Sequence, residues 1–169
     1  MNSIVEMGLL APLRDFAASG KPVLGICLGL QLLMSKGEEF GACDGIHLIS
    51  GKVVRLKDDD ENGDKTKIPH IGWSRIEYSK KNETCSTREN TKKWMNSVIL
   101  KDIPLDSFVY FLHSYVVVPD DSSLIMAETK YGTSTFCSVI KKDNIFGCQF
   151  HPEKSGTIGL RIYRNFIYN

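Results

Sequence analysis

The stretch GKPVLGICLGLQLL, residues 20–33, decides how the chain is read. Gly20 and Pro22 end the helical spacing that precedes it. PVLGI is then a short, wholly apolar run of the kind buried on both faces of a parallel sheet, and LGLQLLMSK resumes helical character as far as Gly37. Cys27 stands at the turn between strand and helix, with Gly25 two residues before it and Gly29 two after. That is the spacing of a nucleophile elbow, in which glycines remove the Cβ atoms that so sharp a turn would drive into neighbouring chain. The free N–H groups and positive dipole end of the following helix face the sulfur. Such surroundings move a cysteine pKa from about 8.5 into roughly the 3.5–7.5 range. The same groups, the Leu28 N–H first among them, suit an oxyanion formed when sulfur attacks a carbonyl. A small buried core cysteine is the competing reading.

A thiol nucleophile needs a base, and the base needs an acceptor that orients it. GCQFHPEKS, residues 147–155, offers both. His151 follows an apolar strand, and Pro152 biases it toward extended geometry. Glu153, two residues on, projects to the same side of an extended segment, within reach of one ring nitrogen while the other faces the thiol. An incidental histidine in a surface loop is the alternative.

Around these motifs the pattern is that of an α/β chain. Residues 3–18 read as one amphipathic helix through Ile4, Met7, Leu10, Leu13 and Ala17, capped by Asn2 or Ser3. GKVVRL (51–56), GWSRIEY (72–78), FVYFL (108–112) and YVVVP (115–119) read as strands, and STFCSVIKKDNIFGCQF as a hairpin turning at Lys142–Asn144. A helix is expected over 156–168. KDDDENGDK (57–65) reads as a solvated loop and residues 79–97 as an exposed polar excursion. With no internal repeat and no linker rich in Pro, Gly or Ser, residues 1–169 read as a single domain.

Composition narrows the function classes. The 21 basic and 20 acidic residues leave a net charge of +1, which gives no electrostatic case for nucleic acid or an anionic membrane. No run approaches the ~20 apolar residues of a membrane span, and the N-terminal residues lack the basic leader of a signal peptide. Five cysteines (27, 43, 85, 137, 148) without a CxxC pair argue against a disulfide framework and for a reducing, cytoplasmic setting. Cys148 and His151 are three apart, but no second pair at ligand spacing supports a metal site. No cofactor is expected, since thiol chemistry on an amide needs none.

Together, PVLGICLGLQLL and GCQFHPEKS resemble the class I glutamine amidotransferases, whose triad is Cys-His-Glu in this order. The resemblance implies an open, mostly parallel, flavodoxin-like sheet with flanking helices and an antiparallel hairpin extension. It also implies a glutaminase with Cys27 as nucleophile, His151 as general acid and base and Glu153 as orienter. Gly29, Gln31, Glu39 and the HSY segment (His113, Ser114, Tyr115) fall at positions that contact L-glutamine in such enzymes. GKVVRL, IPHIGWSRI (68–76), YFLHSYVV (110–117) and HPEKSG (151–156) most resemble the glutaminase subunits of imidazole glycerol phosphate synthases. That likeness implies a heterodimer with a synthase/cyclase subunit that receives ammonia for histidine biosynthesis, with His70, Trp73 and Lys154 facing the partner. A core tryptophan, a turn histidine and an exposed lysine without a role are the plainer readings of those three. Family members open with a βαβ unit whose Gly-rich loop completes the oxyanion hole. No Pro-Gly-x-Gly element precedes Cys27 within residues 1–26, so this chain is expected to lie outside that unit, and its activity alone is open. Three other readings therefore stand beside the leading one: a glutaminase feeding a sugar amidotransferase of surface-polysaccharide synthesis, a non-catalytic partner-binding module, and a stand-alone cysteine peptidase.

Overall fold

The computed structural model describes residues 1–39, 41–57, 66–79, 94 and 97–168. Helices α1 (Asn2–Glu6) and α2 (Leu10–Ala18) lead into strand β1 (Val23–Ile26) and helix α3 (Leu28–Leu33). The one helix expected over 3–18 is thus two. Gly8 adopts a left-handed φ of 67°, which ends α1 and turns the chain before α2 begins. Neither Asn2 nor Ser3 caps α1. Helix α3 stops at Leu33, because Lys36–Gly37 instead form strand β2, paired with β3 (Cys43–Asp44) and β4 (Gly51–Arg55).

The remaining strands are β5 (His70–Arg75), β6 (Glu77–Tyr78), β7 (Phe108–His113), β8 (Tyr115–Pro119), β9 (Ile125–Tyr131), β10 (Ser134–Lys142) and β11 (Ile145–Cys148), followed by helix α4 (Gly156–Ile167). GWSRIEY therefore divides at buried Ile76 between strands of two different sheets. The described strands form a five-stranded sheet, β1-β11-β10-β9-β6, a four-stranded sheet, β3-β2-β4-β8, and the pair β5-β7. Pairing is parallel at β1–β11 and β2–β4 and antiparallel elsewhere among them, so the α/β class is realised with both kinds of ladder.

Two apolar layers sandwich the larger sheet. Phe136, Val139, Phe146, Cys148 and Ile162 belong to one cluster, and Leu30, Leu33, Cys137, Ile140 and Ile145 to the other. Because alternate residues of β11 point to opposite faces, all four are buried, as the unbroken apolar run required. Gly147 gives α3 its seat: a Cβ there would sit 2.4 Å from Leu30 Cδ1.

Residues 58–65 and most of 79–97 lie outside the described residues, but the exposed-excursion reading fails at three positions within the latter. Ser79, Trp94 and Ser97 are buried, and the Trp94 indole N–H donates to the Ile103 carbonyl at 2.7 Å. The apolar area of one indole outweighs the polarity of its sequence neighbours. Among the described residues no helix is long and apolar enough to cross a membrane.

Candidate active site

The turn between β1 and α3 holds Cys27 at φ 49°, ψ −105°, a conformation side chains other than glycine rarely adopt. Its N–H donates to Cys148 O at 2.8 Å, which extends the parallel β1–β11 ladder by one bond and pins Cys27 to the strand that leads to His151. Gly25 is required sterically, since a Cβ would lie 2.7 Å from Leu30 N and 2.8 Å from Leu33 Cδ1. Gly29 is not: a Cβ there would meet nothing within 4 Å, because the following turn of α3 leaves that side open.

Cys27 also differs electrostatically from the expectation. Burial raises its pKa; hydrogen bonds from the Leu28 N–H and the Gln149 amide oppose that rise without overcoming it, and Glu153 and Glu39 add to it. The resting residue is therefore a thiol, with Sγ donating to Leu112 O at 3.6 Å. The helix behind it is only six residues long.

His151 has extended geometry (φ −102°, ψ 97°), but Pro152–Lys154 then form a single 3₁₀ turn rather than continuing extended. The contact expected of Glu153 is made all the same, Nδ1 to Oε1 at 2.6 Å, because the tight turn folds the carboxylate back onto the ring. Tyr163 of α4 donates to the other oxygen, Oε2, at 3.3 Å. Although burial alone would raise the Glu153 pKa, its backbone and His151 hydrogen bonds prevail and hold it below the usual carboxylate range. The main chain of His151 is clamped on both sides, its N–H on Tyr110 O and its carbonyl accepting from Ser155 Oγ. The remaining imidazole nitrogen, Nε2, is buried and has no hydrogen-bond partner among the described residues.

An open cleft of about 290 Å³ gathers most of the predicted residues: Cys27, Leu28, Gln31, Glu39, His113, Ser114 and Tyr115 line it, together with Leu112. Gln31 is nearly buried and donates to Tyr115 O at 3.0 Å and to Gln149 Oε1 at 3.4 Å. The residues assigned to a partner face separate. Trp73 is half exposed and lies over Tyr110, with Lys154 Nζ 5.8 Å from the Tyr110 ring centre. His70 is only 1% exposed, stacked between Phe111 and Tyr131, so it does not face a partner. Being three residues from Trp73 in a strand, it necessarily points the other way. Sequence reasoning also missed Gln149 and Tyr163. Gln149 carried a signal: it precedes His151 by two, in the same alternation used to relate His151 to Glu153.

Sheet topology thus sets Cys27 and the His151–Glu153 pair just beyond the C-terminal ends of two adjacent parallel strands of an α/β fold. Residues 6–169 match the family model for glutamine amidotransferase class-I. The chain belongs to that family. It is 44% identical over 167 residues (99% of this chain and 74% of the relative) to imidazole glycerol phosphate synthase subunit HisH 1 of Legionella pneumophila strain Lens. It is 41% identical, over 98% of this chain and 73% of the relative, to the HisH subunit of Syntrophotalea carbinolica. Among solved structures, a glutamine amidotransferase of Thermotoga maritima superposes with TM-score 0.53 at 18% identity, over 94% of this chain and 50% of that one. A second structure described as a glutamine amidotransferase superposes with TM-score 0.61 at 14% identity, over 98% and 69%. At these identities the structural matches speak to the fold alone.

Proposed function

We propose that residues 1–169 act as one glutaminase domain that hydrolyses L-glutamine and passes the ammonia to a synthase/cyclase subunit making imidazole glycerol phosphate in the cytoplasm. The observation that carries this reading is a half-buried thiol at a strained turn after β1, beside the strand that leads to an imidazole whose Nδ1 is held by Glu153 and whose Nε2 has no hydrogen-bond partner among the described residues. His151 Nε2 takes the Cys27 proton as Sγ turns from Leu112 O, and the thiolate attacks the carboxamide carbon. The Leu28 N–H stabilises the resulting oxyanion. The imidazolium returns the proton to the leaving nitrogen, releasing ammonia and leaving a thioester on Cys27. Water deprotonated by His151 then cleaves the thioester to glutamate and free thiol. Gln31, Glu39 and the 113–115 backbone line the cleft where glutamine would bind.

Support for a protein partner comes from the outer face of β5–β7. Ile71, Trp73 and Arg75 lie opposite Leu112, Tyr110 and Phe108, giving an exposed apolar stripe edged by Arg75 and Lys154. Ammonia protonates in water, so a directly docked acceptor keeps it nucleophilic. The relatives' names favour the imidazole glycerol phosphate acceptor over a nucleotide-linked sugar. The test is peptide mapping after exposure to a glutamine-mimicking electrophile, with Cys27→Ala as control, and glutamate release with and without the cyclase. Labelling confined to Cys27 and partner-stimulated glutamate release are expected. Absence of both would leave a binding module.

A further inference from the structure

The buried side chains beside the nucleophile form a chain of donors whose direction is fixed from one end. The Tyr115 carbonyl can only accept, so the Gln31 group 3.0 Å from it must be the Nε2 amide. Its second N–H is directed to Gln149, 3.4 Å away, so Gln149 presents Oε1 to Gln31 and Nε2 to Cys27 Sγ, at 3.7 Å. The opposite orientation would set two N–H groups head to head and lay an amide oxygen on the sulfur. Gln149 is fully buried, and its backbone N–H is held by Ser138 O at 2.9 Å, so the side chain has one place to go. The thiol's own hydrogen goes to Leu112 O, leaving a sulfur lone pair to accept from Gln149.

We propose that Gln149 is a further catalytic residue, whose amide N–H holds Cys27 Sγ in place and stabilises it as the thiolate that attacks glutamine. The assignment of the attacked substrate rests on the glutaminase reading above; the hold on sulfur does not. Of the groups around Sγ, Leu112 O favours only the protonated form, and a thiolate is repelled by it. The Gln149 N–H serves both forms and strengthens on ionisation, since hydrogen bonds to charged groups are stronger than those to neutral ones. Among the described residues it is the one side-chain donor that counters the desolvation raising the Cys27 pKa. Through Gln31 it also ties the sulfur to Tyr115, a wall of the cleft.

The test is the pH dependence of Cys27 alkylation by iodoacetamide, read by peptide mapping in the wild type, Gln149→Met and Gln149→Asn. Exposed Cys43 in the same chain is the internal reference. Glutamate release with glutamine is measured in parallel. Both variants are expected to alkylate Cys27 about tenfold more slowly at neutral pH, with the midpoint displaced upward and Cys43 unchanged. Turnover should fall mainly in kcat. Asn keeps the polarity of the site but withdraws the amide by one methylene, so it carries the test should the Met variant fail to fold. A Cys27 profile identical to wild type in a folded variant overturns the proposal, whatever the turnover. Displaced profiles in a protein with no wild-type turnover would uphold the hold on sulfur and remove the glutaminase reading instead.

Discussion

His70 and His113 stand directly opposite each other on β5 and β7, with Nδ1 of the first 3.2 Å from Nε2 of the second. The Tyr115 carbonyl again sets the direction. His113 Nδ1 lies 3.0 Å from it and must carry a hydrogen, so Nε2 of the neutral ring accepts from His70 Nδ1. His70 Nε2 in turn accepts from Ser74 Oγ at 2.9 Å. Two lines of hydrogen bonds, one from Ser74 and one ending at Cys27, therefore meet at a single carbonyl on the wall of the cleft.

This arrangement works only with both rings neutral, and burial holds the His70 pKa down to about 4 and that of His113 to about 3. In the unfolded chain both titrate near 6.5, so below that pH the unfolded state binds more protons. Stability is expected to be flat above about pH 6.5 and to fall as pH drops toward 4, by on the order of 3 kcal/mol for His70 alone. Urea unfolding at pH 7 and pH 4.5 measures this. His70→Gln should be less stable at pH 7 yet lose less between the two; parallel losses would refute the account.

Glu153→Gln should lower glutamate release by about 10²-fold or more, since a carboxamide neither fixes the tautomer nor stabilises the imidazolium. Tyr163→Phe removes one hydrogen bond to the same carboxylate and should cost only a few-fold. Steady-state kinetics on both variants would expose the error if their order were reversed.

On the outer face of β5–β7, Trp73→Ala should weaken binding of the cyclase by about tenfold or more, as expected for a central aromatic anchor. Labelling of Cys27 by a glutamine mimic in the isolated chain should not change. Titration calorimetry with the cyclase reads the first effect, and mass spectrometry the second. Loss of labelling without loss of binding would move Trp73 from the interface to the site.

Trp94→Ala should destabilise the chain by roughly 3–5 kcal/mol, the cost of emptying a buried indole site. Trp94→Phe should cost less, losing mainly the bond to Ile103 O. Denaturant midpoints at constant slope decide between this and an indole that packs on nothing of consequence.

What was legible in the residues was chiefly local. The glycine-flanked elbow, the hairpin at Lys142–Asn144 and the His151–Glu153 contact all depend on residues a few positions apart, where spacing and backbone chemistry speak directly. Gly8 was local too, but an apolar stripe running across it suggested one continuous helix. The rest depends on what arrives from far along the chain. Trp94 is buried because the core forms around it, and His70 because strand alternation turns it away from Trp73. Gln149 reaches Cys27 only once β11 lies beside β1. The direction of the Cys27 pKa shift followed from the same cause, since no local pattern reveals how completely a sulfur will be desolvated.

That last pairing has a bearing on how the molecule is assembled. Cys27 and Gln149 are 122 positions apart, yet the register Val23↔Ile145 to Ile26↔Cys148 is what joins them. Closing a loop of that length carries an entropic cost that has to be met before the contacts reward it, so pairings of this kind are slow to form. Until β11 docks, Cys27 has neither the Cys148 carbonyl nor the Gln149 amide at its side. The surroundings that set this thiol apart from exposed Cys43 therefore exist only where segments 122 positions apart have met.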